Sequence, residues 1–197
     1  MAHATAADHL ETSTGLDNRK LLMWLFLASD CLLFGSLIAA YLLYRGRSVV
    51  GPFPDDLFDI PFTSVSAFIL LMSSVTMVLA LAAIQRGNVR NMRIWIFTTA
   101  ILGTLFIAGQ VFEFTEFNHE GLSISTNLFG TTFFVLTGFH GAHVTVGVLI
   151  LMSLFVVSMR GGIQQKDSLA VELAGLYWHF VDIVWIVIFT LVYLIQP

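Results

Sequence analysis

Charge is scarce in this sequence. Only 11% of its 197 residues are Asp, Glu, Lys or Arg, while 57% are hydrophobic. An average soluble domain carries roughly 25% charged residues. A fold of this length cannot bury so much apolar surface from water, so lipid is the expected solvent for much of it. The net charge of -4 is small and spread out, and no basic patch is present, which argues against a nucleic-acid partner. Cysteine is nearly absent. The lone Cys31 excludes an intrachain disulfide and any cysteine-based zinc or iron–sulfur cluster. Lying inside an apolar run, it reads as a small packing residue. The sequence also has no Gly-rich phosphate loop, no nucleophile with an adjacent base, no CxxCH haem attachment and no internal repeat.

Long apolar runs are what it does have. Crossing the hydrocarbon core takes about 20 apolar residues as a helix, and five stretches qualify: Leu21 to Tyr44, Phe62 to Gln85, Ile94 to Phe117, Leu128 to Ser158 and Leu173 to Ile195. The connections suit this reading. Pro52, Pro54 and Pro61 break the first connection, which also carries Asp55, Asp56 and Asp59; the second is short and basic; the fourth holds the Gly161-Gly162 pair. The first 18 residues are polar, lack the pattern of a signal peptide, and read as a tail in which His3 and His9 are incidental. Residues 19–197 then form one five-helix domain. Long runs rather than alternation exclude a β-barrel, so the fold class is an all-α integral membrane bundle. With the N-terminus cytoplasmic, the inner segments carry Arg19, Lys20, Arg86, Arg90, Arg93, Arg160 and Lys166, and the outer ones only Arg45 and Arg47. The positive-inside rule therefore places the N-terminus inside and the C-terminus outside. Small residues are expected to let helices approach closely: Gly138, Gly141, Ala142, Thr145 and Gly147 in the fourth run, and Gly35, Ser36, Ala39 and Ala40 in the first.

Ionisable groups at membrane depth are costly, and each carries a functional hypothesis. Asp30 lies in the first run, Glu113 in the third, His140 and His143 in the fourth, and His179 and Asp182 in the fifth. A bare carboxylate in hydrocarbon must be protonated or partnered. Asp30 reads either as a carboxylate handling protons or facing a lipid headgroup or water, or as a hydrogen-bonded packing residue. Glu113 shares a face with Gln110 and reads best as an interhelix hydrogen bond. His140 and His143, three apart, project from one side. Three histidines with carboxylates could build a metal site or ligate haem, but hydrogen bonds across helices need neither, and no metal is expected here. Trp178, Asp182 and Trp185 follow an i, i+4, i+7 spacing, and the two indoles read as interface aromatics.

Two longer stretches carry a resemblance. Phe129 to Gly147 reads FGTTFFVLTGFHGAHVTVG, and Tyr177 to Val187 reads YWHFVDIVWIV. Both resemble signature stretches of subunit III of the haem-copper respiratory oxidases, the cytochrome c oxidase subunit III family. The segment from Gln110 to Phe114 and the run Ser29 to Phe34 are similar to further family segments, in the same order. The chain resembles the shorter, five-helix bacterial form, lacking the first two of seven helices. Asp30 stands where family members usually have Glu, and one methylene fewer shortens its reach by about 1.5 Å.

The resemblance implies a subunit without haem or copper. It would pack on subunit I, which holds the haems and copper that reduce dioxygen to water, alongside subunit II and other oxidase subunits. It would support proton uptake and turnover stability and hold phospholipid between its helices, in a bacterial plasma membrane crossed several times. Asp30, Glu113, His140, His143, His179 and Asp182 match motif positions and would organise the bundle and its lipid and proton environment. The runs Gly138 to Gly141 and Tyr177 to Asp182 look closer to the cytochrome c branch than to the quinol branch. A quinol oxidase subunit, an accessory subunit of a nitric oxide reductase, a free-standing transporter with an acidic path through Asp30 and Glu113, and a haem-binding membrane cytochrome are the competing readings. The absence of an inverted repeat weighs against the transporter.

Overall fold

A computed structural model describes residues 17–48, 51 and 58–195. They form five long helices: α1 (Asn18–Tyr44), α2 (Ile60–Gln85), α3 (Val89–His119), α4 (Leu128–Met159) and α5 (Ser168–Phe189). A 3-10 turn, Gln165–Asp167, leads into α5, and a π-helical turn, Thr190–Leu194, extends it. No strand occurs among the described residues. All five helices are long and apolar enough to cross a membrane. Most of the expected tail, including His3 and His9, lies outside the described residues, as do Pro52, Pro54, Asp55 and Asp56.

The helices begin at polar caps, and so some start before their apolar runs. The Asp17 carboxylate accepts from the Arg19 backbone N–H at 2.8 Å, which sets the start of α1 at Asn18, inside the expected tail. Asp59, Asn88 and Asn127 cap α2, α3 and α4 in the same way. Each satisfies a backbone donor that has no partner within its own helix. Asn88 carries α3 back to Val89, five residues ahead of Ile94. The pairing of Gln164 with Asp167 begins the last crossing at Gln165, well before Leu173. The other ends are as regular. Gly87, Gly121 and Gly161 adopt positive φ just past α2, α3 and α4. Behind each, paired backbone bonds close the last turn, such as Leu122 N to Phe117 O at 2.8 Å and Gly121 N to Asn118 O at 3.2 Å. A residue with a Cβ is strained in that left-handed conformation.

Helices α2, α3, α4 and α5 close a ring in which α2 meets α3, α3 meets α4, α4 meets α5 and α5 meets α2; α1 lies outside it, against α4 and α5. Three arginine and lysine contacts hold the periphery. Lys20 pairs with Glu172 at the N-terminal ends of α1 and α5. Arg45 donates to the Ile195 carbonyl at 2.7 Å at their other ends. Arg93 donates to the Ser158 carbonyl, tying α3 to α4.

The ring interlocks around Trp178. A Cβ added at Gly103 would overlap the far edge of its indole, and one at Gly147 would come within 2.8 Å of it. The ring thus lies in a slot between glycines of two different helices, with only 1% of its surface exposed. Gly141 makes a similar approach, here to the Gln110 side chain. Other small residues do not behave as expected. Gly138 meets nothing within 4 Å. In α1, Gly35, Ser36 and Ala39 face outward. Cys31, read from sequence as a packing residue, is exposed as well. These four fall outside the strip of Leu27, Asp30, Phe34 and Tyr41, the residues that dock α1.

Candidate functional site

The ionisable groups inside the spans fall into separate contacts between helices rather than one constellation. Glu113 on α3 accepts from Thr63 Oγ1 on α2 at 2.7 Å and from the Tyr193 hydroxyl, beyond α5, at 3.2 Å. One carboxylate so joins three helices. Gln110, about one turn earlier, donates from Nε2 to the Thr137 carbonyl of α4 at 2.8 Å. A small cleft of about 240 Å³ beside Glu113 is lined by Asp59, Glu116 and Glu120 among others.

The seam between α2 and α5 is built on adjacent serines. The Ser74 hydroxyl donates to Asp182 Oδ2 at 2.7 Å. Its single hydrogen is thereby used, so it accepts from His179 Nδ1 at 3.2 Å. The neighbouring Ser73 accepts from Trp178 Nε1 at 2.9 Å. Asp182 Oδ1 is enclosed and has no partner.

His140 and His143, close in sequence, part company. His140 is fully buried. It stacks on Trp185 with ring centres 4.9 Å apart and meets the edge of Phe106 at 5.8 Å. Neither of its nitrogens has a hydrogen-bond partner. His143 turns instead toward α1, where Nε2 lies 3.8 Å from Asp30 Oδ2. Phe34 packs edge-on against it, ring centres 5.0 Å apart. The backbone carbonyl of His143 accepts from the Tyr177 hydroxyl at 3.0 Å.

The structure therefore brings together Asp30 with His143, and His179 with Asp182, and leaves Glu113 and His140 in places of their own. The reading of Trp178 and Trp185 as interface aromatics is corrected. Both are enclosed, at 1% and 2% exposure, within the ring of helices. Their spacing does put them on one face, but that face meets α2, α3 and α4. Sequence reasoning missed the hydroxyl partners Thr63, Ser73, Ser74, Tyr177 and Tyr193. The one available signal was the Ser73-Ser74 pair interrupting an apolar run. Among the described residues no three His, Cys, Asp or Glu side chains gather to hold a metal. What these contacts do is join helices, by bonds that lipid cannot replace.

The model of the family described as cytochrome c oxidase subunit III matches residues 5–196. The cytochrome c oxidase subunit 3 of Thermostichus vulcanus is 38% identical over 193 residues, covering 98% of this chain and 94% of that protein. The quinol oxidase subunit 3 of Bacillus subtilis is 37% identical over 171 residues, or 87% of this chain and 84% of the relative. The cytochrome bo(3) ubiquinol oxidase subunit 3 of Pseudomonas aeruginosa is 35% identical over 193 residues, with 98% and 92% covered.

Proposed function

The chain belongs to the cytochrome c oxidase subunit III family, and from that premise we propose that it is the non-catalytic subunit III of a cytochrome c oxidase that reduces dioxygen to water with proton pumping. In this reading it lies in a bacterial plasma membrane with its N-terminus cytoplasmic and its C-terminus outside. It packs on subunit I in a complex with subunit II and other oxidase subunits. Haems and copper reside in those partners, and this chain supports proton uptake and turnover stability and binds structural phospholipid. The observation that carries the reading is the family match over nearly the whole chain, residues 5–196. The geometry supports it, because Glu113, Gln110, Asp182 and Trp178 spend their buried polar atoms on contacts between helices. Relatives of the cytochrome c and quinol types align at similar identity, 38% and 37%, so the donor rests on the resemblance of the runs Gly138 to Gly141 and Tyr177 to Asp182. The quinol oxidase subunit is the second reading.

The test is mild solubilisation and recovery of the chain by a tag on its N-terminal tail, followed by an absorption spectrum and subunit composition. Haem recovered with larger, oxygen-reducing subunits, and none on the separated chain, is the expected result. A chain without any haem-bearing partner overturns the reading. Oxidation of reduced cytochrome c by the recovered complex, against oxidation of a quinol, decides the donor. Replacing Asp30, Glu113, His140, His143, His179 and Asp182 singly by apolar isosteres tests their assigned part. Unchanged assembly, lipid content and turnover stability in all six would remove it.

A further inference from the structure

Helix α1 is held near its two ends by cationic side chains, Lys20 on Glu172 and Arg45 on the Ile195 carbonyl. Between them lies its only carboxyl group, Asp30, turned toward the ring of helices and 8% exposed. Asp30 stands nine residues beyond Leu21, where the apolar part of α1 begins. At 1.5 Å per residue that is about 14 Å, close to half of a hydrocarbon core about 30 Å thick. A bare carboxylate at this depth is costly. Its Oδ2 is enclosed and has no hydrogen-bond partner, so neither water nor a bound molecule meets that oxygen. What Oδ2 does face is His143 Nε2, 3.8 Å away on α4.

The state of the imidazole follows from its other nitrogen. Nδ1 lies 2.7 Å from the Phe139 carbonyl, and a carbonyl only accepts, so Nδ1 carries a hydrogen. In the neutral ring Nε2 is then a bare acceptor. An ionised Asp30 would set two acceptors against each other and leave a charge in hydrocarbon. One hydrogen between them removes both costs. Placed on Nε2, it makes an imidazolium and a carboxylate, two charges to desolvate. Placed on the carboxyl group, it makes a neutral acid that donates to a neutral ring. The second arrangement is the cheaper one at this depth. It needs the two atoms about 1 Å closer than they stand, a shift that side-chain rotation covers.

The other titratable groups around the pair do not compete for that hydrogen. Tyr177 on α5 donates its hydroxyl hydrogen to the His143 backbone carbonyl. His140 on α4 stacks on Trp185. Cys31, next to Asp30 in sequence, is exposed on α1. We propose that Asp30 and His143 form a clasp closed by one proton, the neutral Asp30 carboxyl donating to His143 Nε2 and so docking the middle of α1 on α4. Loss of the proton sets a carboxylate against a bare imidazole and releases α1 at that point. His143 also lines a groove of about 560 Å³ between α1, α4 and α5, so opening the clasp widens that groove from its α1 side. The clasp deepens the part assigned above to Asp30 and His143, and rests on the oxidase-subunit reading only for the complex in which it is tested.

Infrared spectra and amide hydrogen exchange of the intact, tag-purified complex test the clasp. At neutral pH, the spectrum of the original protein minus that of Asp30→Asn is expected to show the carbonyl stretch of one protonated carboxyl group. His143→Leu should move that stretch to the higher frequency of an acid without a hydrogen bond. A carboxylate band in its place, or a stretch that His143→Leu leaves unmoved, overturns the proposal. In exchange, Asp30→Asn should keep α1 as protected as in the original, because its amide N–H donates to Nε2 where the acid did. Asp30→Leu has no such hydrogen. It should speed exchange in the middle of α1 about fivefold, the size of an interhelical hydrogen bond in a bilayer, and leave α5 unchanged. Equal exchange in the two Asp30 variants overturns the clasp. If His143→Leu does not assemble, the difference spectrum and the two Asp30 variants decide without it. Failure of the oxidase reading shows separately, as a purified chain without haem-bearing partners whose spectrum and exchange are still read.

Discussion

Helices α1 and α5 are almost equally apolar, with peak mean hydropathies of 2.0 and 1.8, yet 17% of that window is buried in α1 and 56% in α5. In water such helices would compete for the same core. In a bilayer lipid tails are as apolar as leucine, so apolarity puts a helix into the membrane without deciding what it packs against. Fit and hydrogen bonds decide that. Helix α5 carries Trp178, seated between two glycines and bonded to Ser73, and Asp182, bonded to Ser74. Helix α1 carries one strip of docking residues and a polar clasp at each end.

Substitutions can break or sharpen this contrast. The largest effect is expected at the Trp178 slot. Gly103→Leu should destabilise the bundle by about 3 kcal/mol, the upper part of the range for overpacking. Thermal unfolding of the detergent-solubilised chain measures it, and an unchanged Tm would mean that the slot does not hold α5. Next comes Phe34→Ala on α1. Lipid can partly fill the space it leaves, so the cost should be about 2 kcal/mol, below the usual range for a water-soluble core. Its mark is local: amide hydrogen exchange should quicken in α1 and stay unchanged in α5. Equal acceleration in both helices would erase the distinction. Glu113→Leu removes the acceptor shared by Thr63 and Tyr193 and should cost about 1 kcal/mol, read as a lower unfolding temperature, with Glu113→Gln recovering part of it. The smallest effect is expected at Gly35→Ala. Nothing lies within 4 Å of the added methyl, so stability should stay within about 0.5 kcal/mol of the original. A larger change in the assembled complex, absent in the separated chain, would place a partner on that face.

The same contrast marks what the sequence made legible. Five apolar runs gave five crossings, because length and composition alone decide insertion. Starts at Val89 and Gln165 were missed, since hydropathy does not register the capping that Asn88 and Asp167 provide. Glu113 as an interhelix bond was legible, because a buried carboxylate needs partners. Thr63 and Tyr193, which lie 50 and 80 positions away, were not. Small residues misled most. Gly147 makes a close approach while Gly35 and Cys31 face outward, and nothing local in the sequence separates these cases. The partner of Gly147 is an indole from another helix, and periodicity within one helix does not reveal it.

The docking of α1 chiefly against α4 and α5 also has a meaning in time. Between Tyr44, the last residue of α1, and Met159, the last of α4, the ribosome adds 115 residues, from 159 − 44. At about 5–20 residues per second, a newly inserted α1 waits some 6–23 s before its first complete neighbour exists. Helices α2 and α3, joined by a tight turn at Gly87, pair during that interval. Helix α1, made before the helices it docks on, is thus slow to find its place.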